Sequence, residues 1–400
     1  MNSSGPSLSS RFHWDSRPNP LTALLQEKRR AQQNGTAAIL DLTESNPTHA
    51  GLIYPEEQIV AALADRRMLR YDPDPRGLLQ AREAVCGYYA ARSTCVDPGR
   101  VILTASTSEA YAYLFKLLTD PGDEVLVPRP SYPLFEYLAA MESVTVKPYP
   151  LRYDGAWHID FQALEKAAGS RTRAIAIVNP NNPTGSYLKK NEWTRLAAWA
   201  AARGLAILSD EVFSDFAFEG DPERVATLAS GAEMDATVFT MSGLSKIAGL
   251  PQVKLGWIVA SGPGHAAALD GLEWIADTFL SVATPVQLAL DRLLTATETV
   301  RRQIRERTAG NLEEARAKFG PTSASRILHV EGGWYIVIQV PRTRSEEEWA
   351  LGLLGDADVL VQPGFFYDFE AEAYLVVSLL AEPAVFREGI QRLSAYVEER

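Results

Sequence analysis

The sequence predicts an α/β protein with a mostly parallel central sheet, joined to a smaller α+β domain. Between residues 101 and 210 short strands and helices alternate, and the strands are apolar throughout rather than alternately apolar and polar. Strands of that kind are covered by helices on both faces, as parallel strands are. Beyond Gly264 the order changes to long helices followed by clustered strands, which reads as a second unit. A chain of 400 residues also exceeds one comfortable core. The expected division is an N-terminal arm and small-domain segment over 1–44, a large domain over 45–284 and a small C-terminal domain over 285–400.

Taken in order, residues 1–20 are polar, are punctuated by Pro18 and Pro20, and read as an arm. Leu21, Leu24 and Leu25 share one face of a helix that runs to Gln33 and ends among basic residues, which suit a helix C-terminus. A strand over 39–43 leads into a polar loop, and a helix over 55–64 opens on Pro55-Glu56-Glu57. The turn-rich loop from Arg70 to Gly77 precedes a helix over 78–92. The strand over 101–103 runs through a hydroxyl-rich turn, Thr104 to Glu109, into a helix over 110–118.

Strands follow over 124–128, 144–149, 174–178 and 206–209, with helices over 159–168 and 192–203 between them. Val238, Phe239 and Met241 mark a buried strand, and Leu255 to Ala260 another; Lys246 lies between them on a loop of small residues. The second unit reads as a helix over 266–278 and a long helix over 285–315 broken near 295–299. Strands over 327–331, 334–340, 359–362 and 374–379 come next, with a helix over 346–354 among them and a terminal helix over 383–399.

In parallel sheets ligands gather beyond the strand C-termini. Ser106, Tyr132, Asn182, Asp210 and Lys246 all fall at such ends. A strand that feeds a helix through Ser106, Thr107 and Ser108 is a natural phosphate cradle, although the same hydroxyls also serve as helix caps. Asp210 after a buried strand stays ionised when a positive partner faces it. Lys246 is an amine nucleophile if its surroundings lower its pKa or a carbonyl captures it, and otherwise an ordinary solvated lysine. Tyr132 can stack on a ring, Asn182 can hydrogen-bond a ring oxygen, and Lys254 can hold phosphate; core packing, turn formation and solvation are the plain alternatives. Pyridoxal phosphate requires this set, a Schiff-base lysine and an acidic group at its pyridinium nitrogen.

Composition narrows the partners. The net charge is −11, against nucleic acid or an anionic membrane surface. No apolar run is long enough to span a bilayer, and no signal peptide is evident. Cys86 and Cys95 form neither a metal spacing nor a disulfide framework, so a cytoplasmic, reducing compartment is expected.

Asn179-Pro180-Asn181-Asn182-Pro183-Thr184-Gly185, Asp210-Glu211-Val212, and Ser245-Lys246 with Gly249-Leu250 and Lys254-Leu255-Gly256 resemble the motifs of the class I/II, fold type I pyridoxal-phosphate aminotransferases. The intervals match too, 28 residues from Asn182 to Asp210 and 36 from Asp210 to Lys246. The resemblance runs from about residue 40 to the C-terminus. It implies pyridoxal 5′-phosphate as cofactor and transfer of an amino group from an amino acid or amine to a 2-oxo acid. Lys246 would carry the cofactor as a Schiff base and shuttle the proton. Asp210 would face the ring nitrogen and Asn182 the ring oxygen. Tyr132 would stack on the ring. Ser106, Thr107, Ser108, Ser245 and Lys254 fall in the cofactor-binding set. Tyr71 would reach the phosphate of a second subunit, so a homodimer is implied.

Four positions depart from the family pattern. Phe213 replaces a tyrosine that donates to the ring oxygen, Gly243 a phosphate-binding serine, and Ser45 a glycine of the substrate loop. Val376 stands where the family carries the arginine that clamps the substrate carboxylate, with Arg70, Arg342 and Arg344 as candidate substitutes. The valine motivates an alternative, a pyridoxal-phosphate-dependent lyase, decarboxylase or carbon–carbon bond-forming enzyme.

Overall fold

The computed structural model describes residues 9, 11, 19–33, 38–230, 234–320, 322–371 and 373–400. The expected arm lies almost wholly outside the described residues. In chain order the strands are β1 (Leu40–Asp41), β2 (Val101–Thr104), β3 (Glu124–Arg129), β4 (Thr145–Tyr153), β5 (Trp157–Ile159), β6 (Thr172–Val178) and β7 (Ala206–Asp210). They continue as β8 (Val238–Gly243), β9 (Gly256–Ser261), β10 (Arg326–Ile327), β11 (Tyr335–Gln339), β12 (Val359–Leu360), β13 (Gln362–Pro363) and β14 (Tyr374–Ser378).

Eight of them form one sheet in the order β2-β9-β8-β7-β6-β3-β4-β5. The pairs β3–β4, β3–β6, β6–β7 and β7–β8 are parallel, as expected. β9 runs antiparallel to both β8 and β2, and β5 antiparallel to β4. Two reversals restore the direction, so β2 points the same way as β8. The C-terminal ends of β2, β3, β6, β7 and β8 therefore share one edge of the sheet.

The uniformly apolar strands are explained by the two covered faces. Ala174 and Ala176 of β6 point into a core with Leu114, Phe115, Phe135 and Leu272 from three helices. Ile175 and Ile177, one residue out of phase, pack on the opposite face against Leu164, Leu196 and Ala200. This is the two-residue period of a strand read against helices on both sides.

The second unit holds the antiparallel sheet β10-β11-β14-β13. Its core joins Ile336, Ile338, Leu375 and Val377 to Trp349, Leu353 and Phe386 of the covering helices. Leu21 and Leu42 enter the same core, and β1 pairs in parallel with β12. The helix Glu346–Ala357 begins on a capping box in which Ser345 and Glu348 satisfy each other's backbone N–H groups. The long helix breaks as expected, into Thr284–Ala296 and Glu298–Lys318. No described helix is long and apolar enough to cross a membrane.

Two local expectations change, and one element is new. The helix expected from Ala110 starts at Thr107, because Ser106 caps it by accepting the Glu109 N–H at 3.2 Å. Lys246 belongs to a one-turn helix, Leu244–Ile247, rather than to a loop. The apolar run after Pro133 is a helix, Leu134–Met141, too short for its periodicity to separate helix from loop.

Candidate active site

The shared edge of the sheet opens onto a cavity of about 390 Å³, within the range of small-molecule sites. Ser106, Thr107 and Ser108 border it at the N-terminus of the helix Thr107–Leu118. Asn182, Asp210 and Phe213 border it beyond β6 and β7, and Ser245, Lys246 and Lys254 beyond β8. Tyr132 borders it with 48% of its surface exposed. Tyr71 is the exception: it is 76% exposed and lines a separate cleft beside Ser281 and Gln287.

Local sequence accounts for the rigidity of the Asn179–Gly185 turn. The Asn179 side chain accepts the Leu188 N–H at 3.0 Å and donates to the Val225 carbonyl at 2.8 Å. Asn181 accepts the Thr184 hydroxyl at 2.9 Å. Gly185 has a φ of 68°, and a Cβ there would stand 2.4 Å from the Gly332 carbonyl oxygen, so only glycine fits. Two asparagines thus hold the turn, while the side-chain oxygen of Asn182, in the cavity wall, is buried without a protein partner. The same turn is tied to the next strand, since the Asn179 N–H donates to the Asp210 carbonyl at 2.8 Å.

Asp210 accepts the Val212 N–H and the Tyr111 hydroxyl, both at 3.2 Å. Desolvation pushes its carboxyl up to about 6, against the pull of those two donors and of the Lys246 charge. Tyr111 was not among the expected site residues. It lies four residues after Thr107, on the same helix face, and that spacing was the available signal. Glu211 turns the other way. It accepts the Ser209 hydroxyl at 2.9 Å and the Leu228 N–H at 2.8 Å, and burial pushes it up to about 7.

Burial lowers the pKa of Lys246, with the Asp210 charge acting in opposition. Its Nζ lies 5.2 Å from the ring centre of Trp334 and 5.8 Å from that of Phe213. The turn behind it is held by the Tyr54 hydroxyl, which donates to the Gly249 carbonyl at 2.7 Å. Gly243 has a packing reason: a Cβ would stand 2.9 Å from both the Gly256 Cα and the Leu255 carbonyl oxygen, where β8 and β9 meet.

The far side of the cavity carries Ser45 and Tyr335, with Phe213 edge-on to the buried Trp334 at 5.2 Å. Val376 is fully buried and pairs with Val337 and Gln362 in the smaller sheet. None of the candidate arginines borders the cavity. Arg344 lies over the Trp349 ring at 5.2 Å, Arg70 is exposed beside Asp72 at 3.6 Å, and Arg342 is exposed. Among the described residues bordering the cavity, the cations are Lys246 and Lys254.

A half-buried lysine and an aspartate border one cavity at the C-terminal edge of a mixed sheet, beside a helix N-terminus, an arrangement suited to capturing an anionic, carbonyl-bearing ligand. The family model for aminotransferases of class I and II matches residues 37–392. A glutamate–pyruvate aminotransferase of Haemophilus influenzae is 27% identical over 386 residues, covering 94% of each chain. The human tyrosine aminotransferase is 26% identical, covering 95% of this chain and 85% of its own. Among solved structures, an alanine aminotransferase from Pyrococcus furiosus superposes with a TM-score of 0.85 at 23% identity, covering 98% of this chain and all of its own; that likeness shows the fold.

This chain belongs to the class I and II aminotransferases. It is a fold type I enzyme that transfers amino groups between amino and oxo acids, with pyridoxal phosphate as cofactor. The residues present fit that cofactor. The cavity joins a carboxylate, a buried amide oxygen without a protein partner, two lysines and the hydroxyls of a helix N-terminus.

Proposed function

We propose that Lys246 is the catalytic lysine and Asp210 the acidic partner of the cofactor's ring nitrogen. The observation that carries this is their meeting, with Asn182 and Lys254, in one cavity. Bound pyridoxal phosphate supplies an aldehyde to capture the amino group and a ring that accepts electrons from the substrate's α-carbon. Asp210 holds the proton on the ring nitrogen, and the Tyr111 hydroxyl fixes its carboxylate. Asn182 hydrogen-bonds the ring oxygen, and Tyr132 covers the ring face. Ser106, Thr107, Ser108, Ser245 and Lys254 bind phosphate, where free N–H groups of a helix start add to the hydroxyls. Phe213, lacking a hydroxyl, would offer the ring oxygen no donor. Burial lowers the pKa of Lys246, which favours its free amine, and that amine would carry the proton between the substrate α-carbon and cofactor C4′.

Lys246→Ala tests the assignment. Hydride reduction of the loaded parent enzyme should leave cofactor covalently attached by intact mass, and the variant should carry none and show no half-reaction. Retained activity in the variant would refute the role.

We also infer a homodimer in which Tyr71 reaches the phosphate in the second copy. Its 76% exposure supports this, as do Ile53, Val60, Leu69 and Leu79 on the neighbouring stretch, each at least half exposed. Mixing the two inactive variants Lys246→Ala and Tyr71→Ala should restore activity through mixed dimers, and no recovery after subunit exchange would count against it. The arm and strand over 1–44 go with the small domain over 285–400, and 45–284 form the large domain; β1 pairing with β12 supports that grouping. Free thiols at Cys86 and Cys95 suit a reducing compartment such as the cytoplasm.

A further inference from the structure

Lys246 and Lys254, the cations bordering the cavity among the described residues, are both committed in the proposed mechanism. The opposite wall presents a different chemistry. Phe213 and Tyr335 face the cavity, and Trp334, Tyr367 and Val376 pack behind them in one buried apolar cluster. The polar groups on that side are neutral: the Tyr335 hydroxyl is hydrogen-bonded to Ser45, and the Tyr367 hydroxyl donates to Gln362. The Lys246 amine lies within 6 Å of two of the aromatic rings, so the substituents of the reacting carbon meet this wall.

A carboxylate placed there exchanges water for neutral hydroxyls, which bind it roughly half as strongly as charged donors do. An apolar or aromatic substituent leaves water for a surface that matches it. The composition of the wall thus favours the arm over the acid group.

We propose that this enzyme recognises its substrate by an apolar or aromatic arm rather than by the α-carboxylate, and so takes primary amines bearing such an arm as amino donors as readily as the matching amino acids. This rests on the aminotransferase reading of the same cavity. The transfer balances without an external oxidant. The amine R–CH2–NH2 loses its C–N bond and one C–H bond and leaves as the aldehyde R–CHO, with oxygen from water. The 2-oxo acid gains the nitrogen and the hydrogen and releases its oxygen as water. The two electrons lost by one carbon are gained by the other.

The test uses the loaded enzyme and two matched pairs. In half-reactions, 2-phenylethylamine is compared with phenylalanine by kcat/KM. In binding, 3-phenyl-1-propanol is compared with 3-phenylpropionate, neither of which reacts, by the change in protein fluorescence. The expected result is a preference for the carboxylate-bearing member below about tenfold in each pair. A larger preference in either pair overturns the proposal and points to a cation delivered by a second copy, for which the exposed Arg70 is placed next to Tyr71. Absence of binding by both non-reacting compounds overturns it as well. If neither amine nor amino acid reacts, the binding pair alone decides, and the failure falls on the reading of the reaction.

Discussion

Replacing Asp210 by asparagine separates what the reaction needs from what the fold prefers. Desolvation carries the carboxyl from 3.8 up to about 6 in the protein alone. A rise of about two units corresponds to roughly 3 kcal/mol. The folded pKa lies above the unfolded one, so the ionised carboxylate is the form that the fold disfavours. Its cost is complete above about pH 6, shrinks as the pH falls from 6 towards 3.8, and disappears below that. Asparagine keeps an acceptor for the Val212 N–H and a polar group for the Tyr111 hydroxyl, so the exchange removes charge and little else. The cofactor-free Asp210→Asn protein should therefore be more stable than its parent by about 1–3 kcal/mol near pH 7.5, with the gain fading towards pH 4. The loaded variant should lose most of its activity, because a neutral amide no longer holds the proton on the ring nitrogen. Urea unfolding of both cofactor-free proteins across that pH range measures the gap. A variant less stable than its parent near neutrality, or a gap that does not change with pH, refutes the reasoning.

Three further substitutions follow from the geometry. Tyr111→Phe removes a donor that holds the Asp210 pKa down, so the acid limb of the kcat/KM profile should move to higher pH; an unmoved limb contradicts the role given to that hydroxyl. Gly243→Ser forces a Cβ to within 2.9 Å of the neighbouring strand and should cost about 1–3 kcal/mol, read as a lower Tm. Asp215→Ala leaves Arg92, now bonded at 2.7 and 2.9 Å, and the buried Arg301 at 3.6 Å without their shared carboxylate. The expected loss is about 3–5 kcal/mol in chemical unfolding. Arg301 also donates to the Ile247 carbonyl at 3.1 Å, so activity should fall with stability.

What could be read from the sequence follows from how local each feature is. Asn182, Asp210 and Lys246 each end or follow a strand of the parallel part, and the regular strand–helix rhythm of the sequence is enough to put them on a common edge. The helix Leu134–Met141 was hidden because eight mostly apolar residues between a proline and a turn show no resolvable period. Lys246 was expected on a loop because its one helical turn is set by tertiary packing of Leu244 and Ile247 rather than by propensity. Tyr111 was passed over because its partner is 99 residues away, and nothing in the sequence near Asp210 announces it.

The two ends of the cavity also differ in how they are built, and that difference bears on what the sequence can specify. The cofactor end draws on short segments whose backbone is forced into place, by Gly185 at one turn and by the close β8–β9 approach at Gly243. Their residues are legible because each segment carries its own geometry. The far wall draws on Ser45, Phe213, Trp334 and Tyr335, brought together from three distant stretches of chain. A single change such as Val376 alters that wall only through what packs in front of it. The valine by itself looked like a missing clamp. Packed with Tyr367 in the cluster behind Phe213 and Tyr335, it is one part of a closed apolar surface, and the physical question shifts from what replaces an arginine to what such a surface binds.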